Sequence, residues 1–305
     1  MSYIAVSSFS LYRELGPLSL SRRDADGVVQ VTQFPLPSIH TLEEFVALVP
    51  QRLGVSTVEL CQMQFGDASP ERIAALRSAL QAAEVELLTL PIDLGDLSDP
   101  THTEEDVAAI VLWFDIAQQL GARYVRVRIG SASPEQLRAD RSHVVDALRE
   151  LAAAAYERGL QLLVENHGGA SSDPDILLAL REEVGPENLG ILLDVGNFEP
   201  ITDVSIARIL GGDADDSGLE TEHVYDKIAR IAPVATLVHA KAHDPKSDGS
   251  PLLDLNRALQ VVAASAYDGP ISIEWEGVDG DPWARTTQTI ETVKRVFPTL
   301  RTMRG

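Results

Sequence analysis

Residues 161–167 read Gln-Leu-Leu-Val-Glu-Asn-His, a short apolar run that ends abruptly in three polar side chains. Apolar runs of this kind, separated by stretches with helical periodicity, recur at residues 3–8, 57–60, 87–91, 124–129, 161–165, 190–194, 235–241 and 271–276. Such alternation is typical of β-α-β units and a parallel sheet. Eight units predict an α/β fold of the closed (β/α)8 or TIM barrel type. The length of 305 residues fits a single domain over residues 1–305.

The connections between the runs carry helix signals and two long insertions. Thr41 and Glu44 have the spacing of a capping box at a helix start. Residues 11–40 and 200–222 are longer than most loops. Because loops that follow barrel strands surround the active site, either segment could act as a lid.

Composition restricts the classes of partner. The net charge is −21, from 25 basic and 46 acidic residues. An excess of negative charge repels phosphate backbones and anionic lipid, so we expect neither nucleic acid nor a membrane as a partner. Cys61 is the only cysteine, which excludes an intrachain disulfide. The first ten residues lack the pattern of a secretory signal, and we expect a cytoplasmic protein.

Charged or imidazole side chains stand at the ends of four consecutive predicted strands. They are Glu165, Asp194, His239 and Glu274. In a barrel, these ends meet at one face, where three carboxylates would destabilise one another. A divalent cation resolves this conflict. Carboxylates with one imidazole favour Mn²⁺ most, with Mg²⁺, Co²⁺ or Zn²⁺ possible.

At these residues the chain resembles the xylose isomerase-like barrel superfamily, in its branch of sugar phosphate isomerases and epimerases. The resemblance rests on the segments 121–127, 164–167, 193–196, 238–241 and 273–276. It implies that Glu165, Asp194, His239 and Glu274 bind one divalent metal, and that the two glutamates are a catalytic acid/base pair. The chain departs from the family at Asn197, where many members have histidine, and at Ala242, where many have aspartate.

Further polar residues near the strand ends are candidates for substrate contact or catalysis. His167 and Lys241 are predicted catalytic residues. His167 would act as a base or bind the substrate, or would only orient Glu165, and Lys241 would bind a hydroxyl or stabilise an oxyanion. The candidates for substrate binding are Arg128, Glu59, His102, Asn197 and Glu276.

The expected function is a metal-dependent isomerase or epimerase of a small carbohydrate or keto-sugar, acting through a metal-bound enediolate. The same intermediate could eliminate a leaving group, so a lyase remains open, either a dehydratase of an inosose or keto-sugar or an enzyme that cleaves an oxidised C- or O-glycoside. A non-catalytic or partner-dependent subunit is disfavoured, because a scaffold has no use for converging carboxylates. A homo- or hetero-oligomer stays open. A DNA-repair endonuclease is excluded by the charge and by only seven histidines.

Overall fold

A closed barrel of eight parallel strands forms the centre of the molecule. The computed structural model describes residues 3–24, 26–212 and 214–300. The ten strands are β1 Ile4–Ser7, β2 Leu18–Arg23, β3 Val29–Phe34, β4 Thr57–Glu59, β5 Glu86–Pro91, β6 Tyr124–Val127, β7 Gln161–Glu165, β8 Leu189–Asp194, β9 Ala235–His243 and β10 Ile271–Glu276. The barrel order is β1-β10-β9-β8-β7-β6-β5-β4, so every strand except β2 and β3 takes part. The predicted (β/α)8 barrel is confirmed, and its eight strands match the predicted runs with ends that shift by at most two residues.

Ten α-helices within the described residues surround or cap the barrel. They are α1 Leu42–Leu53, α2 Pro70–Ala82, α3 Thr103–Leu120, α4 Pro134–Ala139, α5 Ser142–Glu157, α6 Pro174–Val184, α7 Ile201–Ile209, α8 Glu222–Ile231, α9 Leu255–Ala264 and α10 Pro282–Val296. The predicted capping box is present, since the Thr41 hydroxyl accepts from the Glu44 amide and the Glu44 carboxylate accepts from the Thr41 amide.

The barrel interior has an apolar lower layer and a polar upper layer. Six strands contribute the lower layer, an isolated cluster of buried side chains consisting of Tyr3, Ala5, Leu88, Tyr124, Leu163, Leu192 and Leu237. Side chains of a strand point to the same side at every second residue. Two residues further along β6, β7, β8 and β9, the inward positions are therefore Arg126, Glu165, Asp194 and His239. Strand periodicity thus places four charged or titratable side chains at one level of the barrel.

The two long segments contain regular structure, which the sequence interpretation as loops missed. Residues 11–40 include an antiparallel hairpin of β2 and β3, in which Leu18 pairs with Phe34. Near the turn of the hairpin, Arg23 holds Asp106 of α3 at 2.6 Å. Residues 200–222 include α7, whose Ile201 and Val204 are buried. The hairpin and α7 both follow barrel strands, so they cover the end of the barrel that carries the polar layer.

Helices that could cross a lipid bilayer are absent from the described part of the chain, because none combines sufficient length with sufficient apolar character.

Asn166 links the ends of β7 and β8 at the level of the polar layer. Its side chain is fully buried, its Nδ2 donates to the carbonyl of Asp194 at 2.7 Å, and its Oδ1 accepts from the amide of Asp194 at 2.9 Å. The side chain therefore continues the strand pairing one step beyond the end of β7. Glu165 and Asp194 are held in register as a result.

Replacing Asn166 by alanine should lower the free energy of unfolding by roughly 3 kcal/mol, because two buried main-chain groups of Asp194 lose their partners. Urea denaturation monitored by circular dichroism measures the change. Asn256→Ala, at a partly exposed position of α9, is the control and should change stability by less than about 0.5 kcal/mol. Equal losses in the two variants would contradict the bridging role of Asn166.

Candidate metal centre and active site

The ends of β7, β8 and β9 bring Glu165, Asp194 and His239 together. One ligand atom from each residue lies within 4.8 Å of those of the other two, and all three side chains are buried. Glu274 from β10 is next to this cluster, with its Oε2 at 3.7 Å from Nδ1 of His239. Of the four residues expected to bind metal, three form a compact cluster and the fourth lies beside it.

The donor atoms in this cluster fit a divalent cation. Oδ2 of Asp194 and Nδ1 of His239 are buried and 3.5 Å apart, and Oδ2 also lies 3.2 Å from the Lys241 ammonium, but neither atom makes a hydrogen bond of good geometry. Buried polar atoms normally make well-formed hydrogen bonds, so two metal-ligating atoms that face each other without one indicate a position for a ligand. Oxygen donors with one imidazole suit Mn²⁺, Mg²⁺, Co²⁺ or Zn²⁺. Asp194 and His239, with Glu165 and Glu274 on either side, are thus the residues that would hold such an ion.

Lys241 is a buried cation beside this cluster. Its ammonium lies 3.2 Å from Asp194, 2.7 Å from Glu274 and 2.8 Å from Glu276. Burial alone lowers the pKa of Lys241, but these carboxylates raise it well above its ordinary value. Lys241 is therefore charged and joins β9 to carboxylates of β8 and β10.

A second buried cation, Arg126, lies on the opposite side of the cluster. Its Nη1 bonds Asp93 at 2.6 Å and its Nε lies 2.8 Å from Oε2 of Glu165. Burial raises the pKa of Asp93, but Arg126 and Arg128 outweigh it and hold the pKa below the ordinary range of an aspartate. The sequence analysis selected neither Asp93 nor Arg126. An arginine within the apolar strand β6 was the available signal, because it requires a buried carboxylate partner.

Glu59 of β4 lies behind His239 rather than in contact with the cavity. It is fully buried, its Oε2 lies 2.8 Å from Nε2 of His239, and Ser272 donates to it at 2.9 Å. Burial raises the pKa of Glu59, but His239 outweighs this effect and keeps the pKa below its ordinary value. An ionised Glu59 orients the ring so that Nδ1 faces Asp194 and Glu274. At this position Glu59 does not line the cavity, so the structure does not place it where the expected role in substrate binding would need it.

Asn197 and Glu276 complete the polar network. Asn197 donates through Nδ2 to Oε1 of Glu165 at 2.9 Å and accepts from Lys241 through Oδ1 at 2.9 Å. Glu276 accepts from Lys241 and from Ser205 of α7. The side-chain amide of Asn197 thus fixes the distance between the Glu165 carboxylate and the Lys241 ammonium, which both border the candidate metal position.

A cavity of about 230 Å³ opens above this network. Its floor is polar, and the residues on it are Asp93, Arg126, Arg128, Glu165, His167, Asn197, Lys241, Glu274 and Glu276. Its outer wall is mostly apolar, and the residues there are Phe9, Leu18, Leu20, Phe34, Met63, Thr202, Ile206, Ile209 and Leu210. The size approaches the lower end of the range for small-molecule sites, roughly 300 Å³.

The family model described as "Xylose isomerase-like TIM barrel" matches residues 50–296. This chain belongs to that family. No curated protein sequence matches the chain at a significant level.

Several solved structures share the fold of this chain over nearly its whole length. A xylose isomerase-like TIM barrel protein from Mycobacterium smegmatis, in complex with magnesium, has 17% identity and a TM-score of 0.62, covering 97% of this chain and 98% of the other. D-Psicose 3-epimerase with D-tagatose from Clostridium cellulolyticum H10 has 12% identity and a TM-score of 0.63, covering 96% and 99%. The 3-keto-D-glucoside 4-epimerase from E. coli has 14% identity and a TM-score of 0.64, covering 97% and 100%. At these identities the likeness establishes a common fold.

Two further candidates border the cavity of this xylose isomerase-like barrel, and one does not. Burial, together with the positive charges of Arg128 and Lys241, lowers the pKa of His167 to about 3, so the ring is neutral at pH 7. Arg128 lies just beyond β6 with its Nε at 3.2 Å from Asp93. His102 instead lines a neighbouring cavity between the hairpin and α3, with Nδ1 at 3.7 Å from Glu105.

The charges of the whole site favour a bound cation. Six carboxylates surround it, namely those of Glu59, Asp93, Glu165, Asp194, Glu274 and Glu276. Arg126, Arg128 and Lys241 supply three positive charges. With all six carboxylates ionised and His239 neutral, as metal binding requires, three negative charges would remain, and a divalent cation would reduce them to one. Buried carboxylates without compensation are strongly unfavourable.

The wild-type protein should bind about one Mn²⁺ per chain, and Glu59→Gln should raise the dissociation constant by about 10–100-fold, because a neutral amide orients and polarises His239 less strongly. Isothermal titration calorimetry of the metal-stripped protein measures both values. Glu71→Gln, at an exposed position of α2, is the matched control and should bind Mn²⁺ as wild type does. Unchanged affinity in Glu59→Gln would contradict the role assigned to Glu59.

Proposed function

We propose that this protein is a divalent-metal-dependent isomerase or epimerase of a sugar or keto-sugar. The observation that carries the proposal is the arrangement of two glutamates around the facing ligand atoms of Asp194 and His239. Glu165 lies on β7 and Glu274 on β10, separated in the barrel by β8 and β9. The two carboxylates therefore approach the candidate metal position from different sides.

Each glutamate has its own cation. Arg126 contacts Glu165 at 2.8 Å, and Lys241 contacts Glu274 at 2.7 Å. Burial raises the pKa of Glu165, and Asp194 adds to this effect while Arg126 opposes it. A carboxyl group with a raised pKa is suited to accept and return a proton near neutral pH. The site thus contains two separate groups for proton transfer.

A bound divalent cation would polarise the carbonyl group of the substrate and so acidify the neighbouring C–H group. One glutamate then takes this proton, which leaves an enediolate. If the proton returns to the adjacent carbon, an aldose and a ketose interconvert. If the other glutamate returns a proton to the same carbon from the opposite face, the sugar is epimerised. Lys241 and Asn197 hold the two glutamates in position throughout.

The structural relatives support a carbohydrate substrate, since two of those named above are epimerases of sugars by their descriptions. The acidic cluster also suits a neutral, polyhydroxylated molecule better than a phosphorylated one, because a phosphate would face uncompensated negative charge.

A lyase acting on a keto-sugar is the second candidate. It is favoured by His167, a neutral imidazole on the cavity floor near Arg128 and Lys241. Elimination requires a base at the carbon and a separate group near the leaving group, and His167 could serve as one of them. The two functions share the enolisation step and differ only in the fate of the intermediate.

Glu165→Gln and Glu274→Gln should each lower kcat by about 10²–10⁴-fold, because each change removes a proton-transfer group. Steady-state kinetics with the best ketose substrate and added Mn²⁺ measures the loss. Glu182→Gln, exposed on α6, is the control and should retain wild-type turnover. Near wild-type turnover in either active-site variant would refute the acid/base assignment.

Isotope exchange separates the two candidate functions. With a ketose in D₂O, an isomerase or epimerase should give an intact sugar product that carries deuterium on carbon, because the abstracted proton mixes with solvent before it returns. Mass spectrometry and NMR locate the label. A product that has lost water or an aglycone, with no exchange into intact sugar, would favour the lyase instead.

A further inference from the structure

The cavity above the candidate metal position has two walls of opposite character. The polar floor arises from the barrel strands and the residues that directly follow them, whereas most of the outer wall arises from the hairpin and the region of α7. The outer wall contains the aliphatic or aromatic side chains of Leu18, Leu20, Phe34, Ile206, Ile209 and Leu210. A molecule that binds at the floor must extend past this wall to reach solvent.

Helix α7 is apolar on two faces, and only one of them is packed. Ile201 and Val204 are buried, while Ile206 is 42% exposed and Leu210 is 56% exposed. Ile206 and Leu210 are four residues apart, so they lie on the same side of the helix, and both line the cavity. A surface helix normally turns a polar face towards water. The exposed apolar side at the cavity mouth therefore indicates a surface for a ligand.

The hairpin supplies the other part of this wall. Leu18 and Phe34 are paired across β2 and β3, and Leu20 lies on the same face two residues further along. The neighbouring residues Ser19 and Gln33 hydrogen-bond to each other on the opposite face. The alternation thus directs the apolar residues of the hairpin towards the cavity.

A free sugar would find hydrogen-bond partners only on the polar floor of this cavity. Its hydroxyl groups have many partners there, but hydroxyls placed against Leu20 or Ile206 would lose water without gaining a hydrogen bond, which is unfavourable. An apolar substituent in the same place would remove its own surface and that of the wall from water. Phe34 adds an aromatic face that suits a ring.

We propose that the substrate is an amphiphilic glycoside, in which a keto-sugar unit sits on the polar floor and an aryl substituent lies between the hairpin and α7. This inference rests on the epimerase form of the proposed function, because the anomeric carbon of a glycoside carries the substituent and cannot take part in aldose–ketose interconversion. It adds a binding subsite for the aryl group that involves neither the candidate metal ligands nor the two glutamates.

The test compares two glycosides that differ only in the substituent. The phenyl and methyl β-glycosides of 3-keto-D-glucose are titrated into the Mn²⁺-loaded protein by calorimetry. The phenyl compound should bind at least about tenfold more tightly, which corresponds to about 1.4 kcal/mol. In Ile206→Ser and Leu210→Ser, most of this difference should disappear. Leu112→Ser is the control, since Leu112 is 65% exposed on α3 and does not line the cavity, and the difference should persist there.

Three results would overturn the proposal: equal affinities for the two glycosides, no detectable binding of either, or a change from dimer to monomer in Leu210→Ser by light scattering, since a second copy would then cover this wall.

Failure of the proposed function is recognised separately. A clear phenyl preference without proton exchange in D₂O leaves the aryl subsite in place and refutes the isomerase, whereas exchange without phenyl preference does the reverse.

Discussion

Converging carboxylates at the end of the barrel are the constraint on which the other features of this site depend. Charges buried so close together destabilise the fold unless cations compensate them. Lys241 and Arg126 provide part of this compensation from within the chain, one on each side of the cluster. Asp194 and His239 face each other in the same cluster, where a divalent ion would supply the rest. Stability and the proposed chemistry therefore depend on the same charges.

The lower layer of the barrel makes this arrangement possible. Leu163, Leu192 and other apolar side chains fill the interior below the polar groups, so an apolar layer separates the site from the lower end of the barrel. The strands then position the polar groups with the precision of main-chain hydrogen bonding. Asn166 extends that precision past the strand ends, because its side chain bonds both main-chain groups of Asp194. A proton-transfer site requires groups that are held this closely, since small displacements reduce catalysis steeply.

The segments outside the barrel, the hairpin and α7, have a different role. The hairpin and α7 contribute apolar side chains and few hydrogen-bonding groups to the cavity, so they suit selection of a substrate more than reaction with it. Ser205 of α7 joins this part of the molecule to the floor, because it donates to Glu276, which also accepts from Lys241. Movement of α7 would therefore change the surroundings of Lys241, and binding at the outer wall and geometry at the floor are physically connected.

Local patterns in the sequence were sufficient for the barrel and for the central cluster. Hydrophobic periodicity predicted all eight barrel strands, and Thr41 with Glu44 predicted a helix start, because these signals depend on neighbouring residues alone. The proximity of Glu165, Asp194 and His239 followed from parallel strands ending at one face. The partners of these residues depended on the tertiary structure. Glu59 behind His239 joins positions 180 residues apart, and the direction of such a side chain is set by packing that no local pattern encodes. His102 shows the converse, because it follows a barrel strand as a site residue would, yet the docking of the hairpin encloses it in a separate cavity.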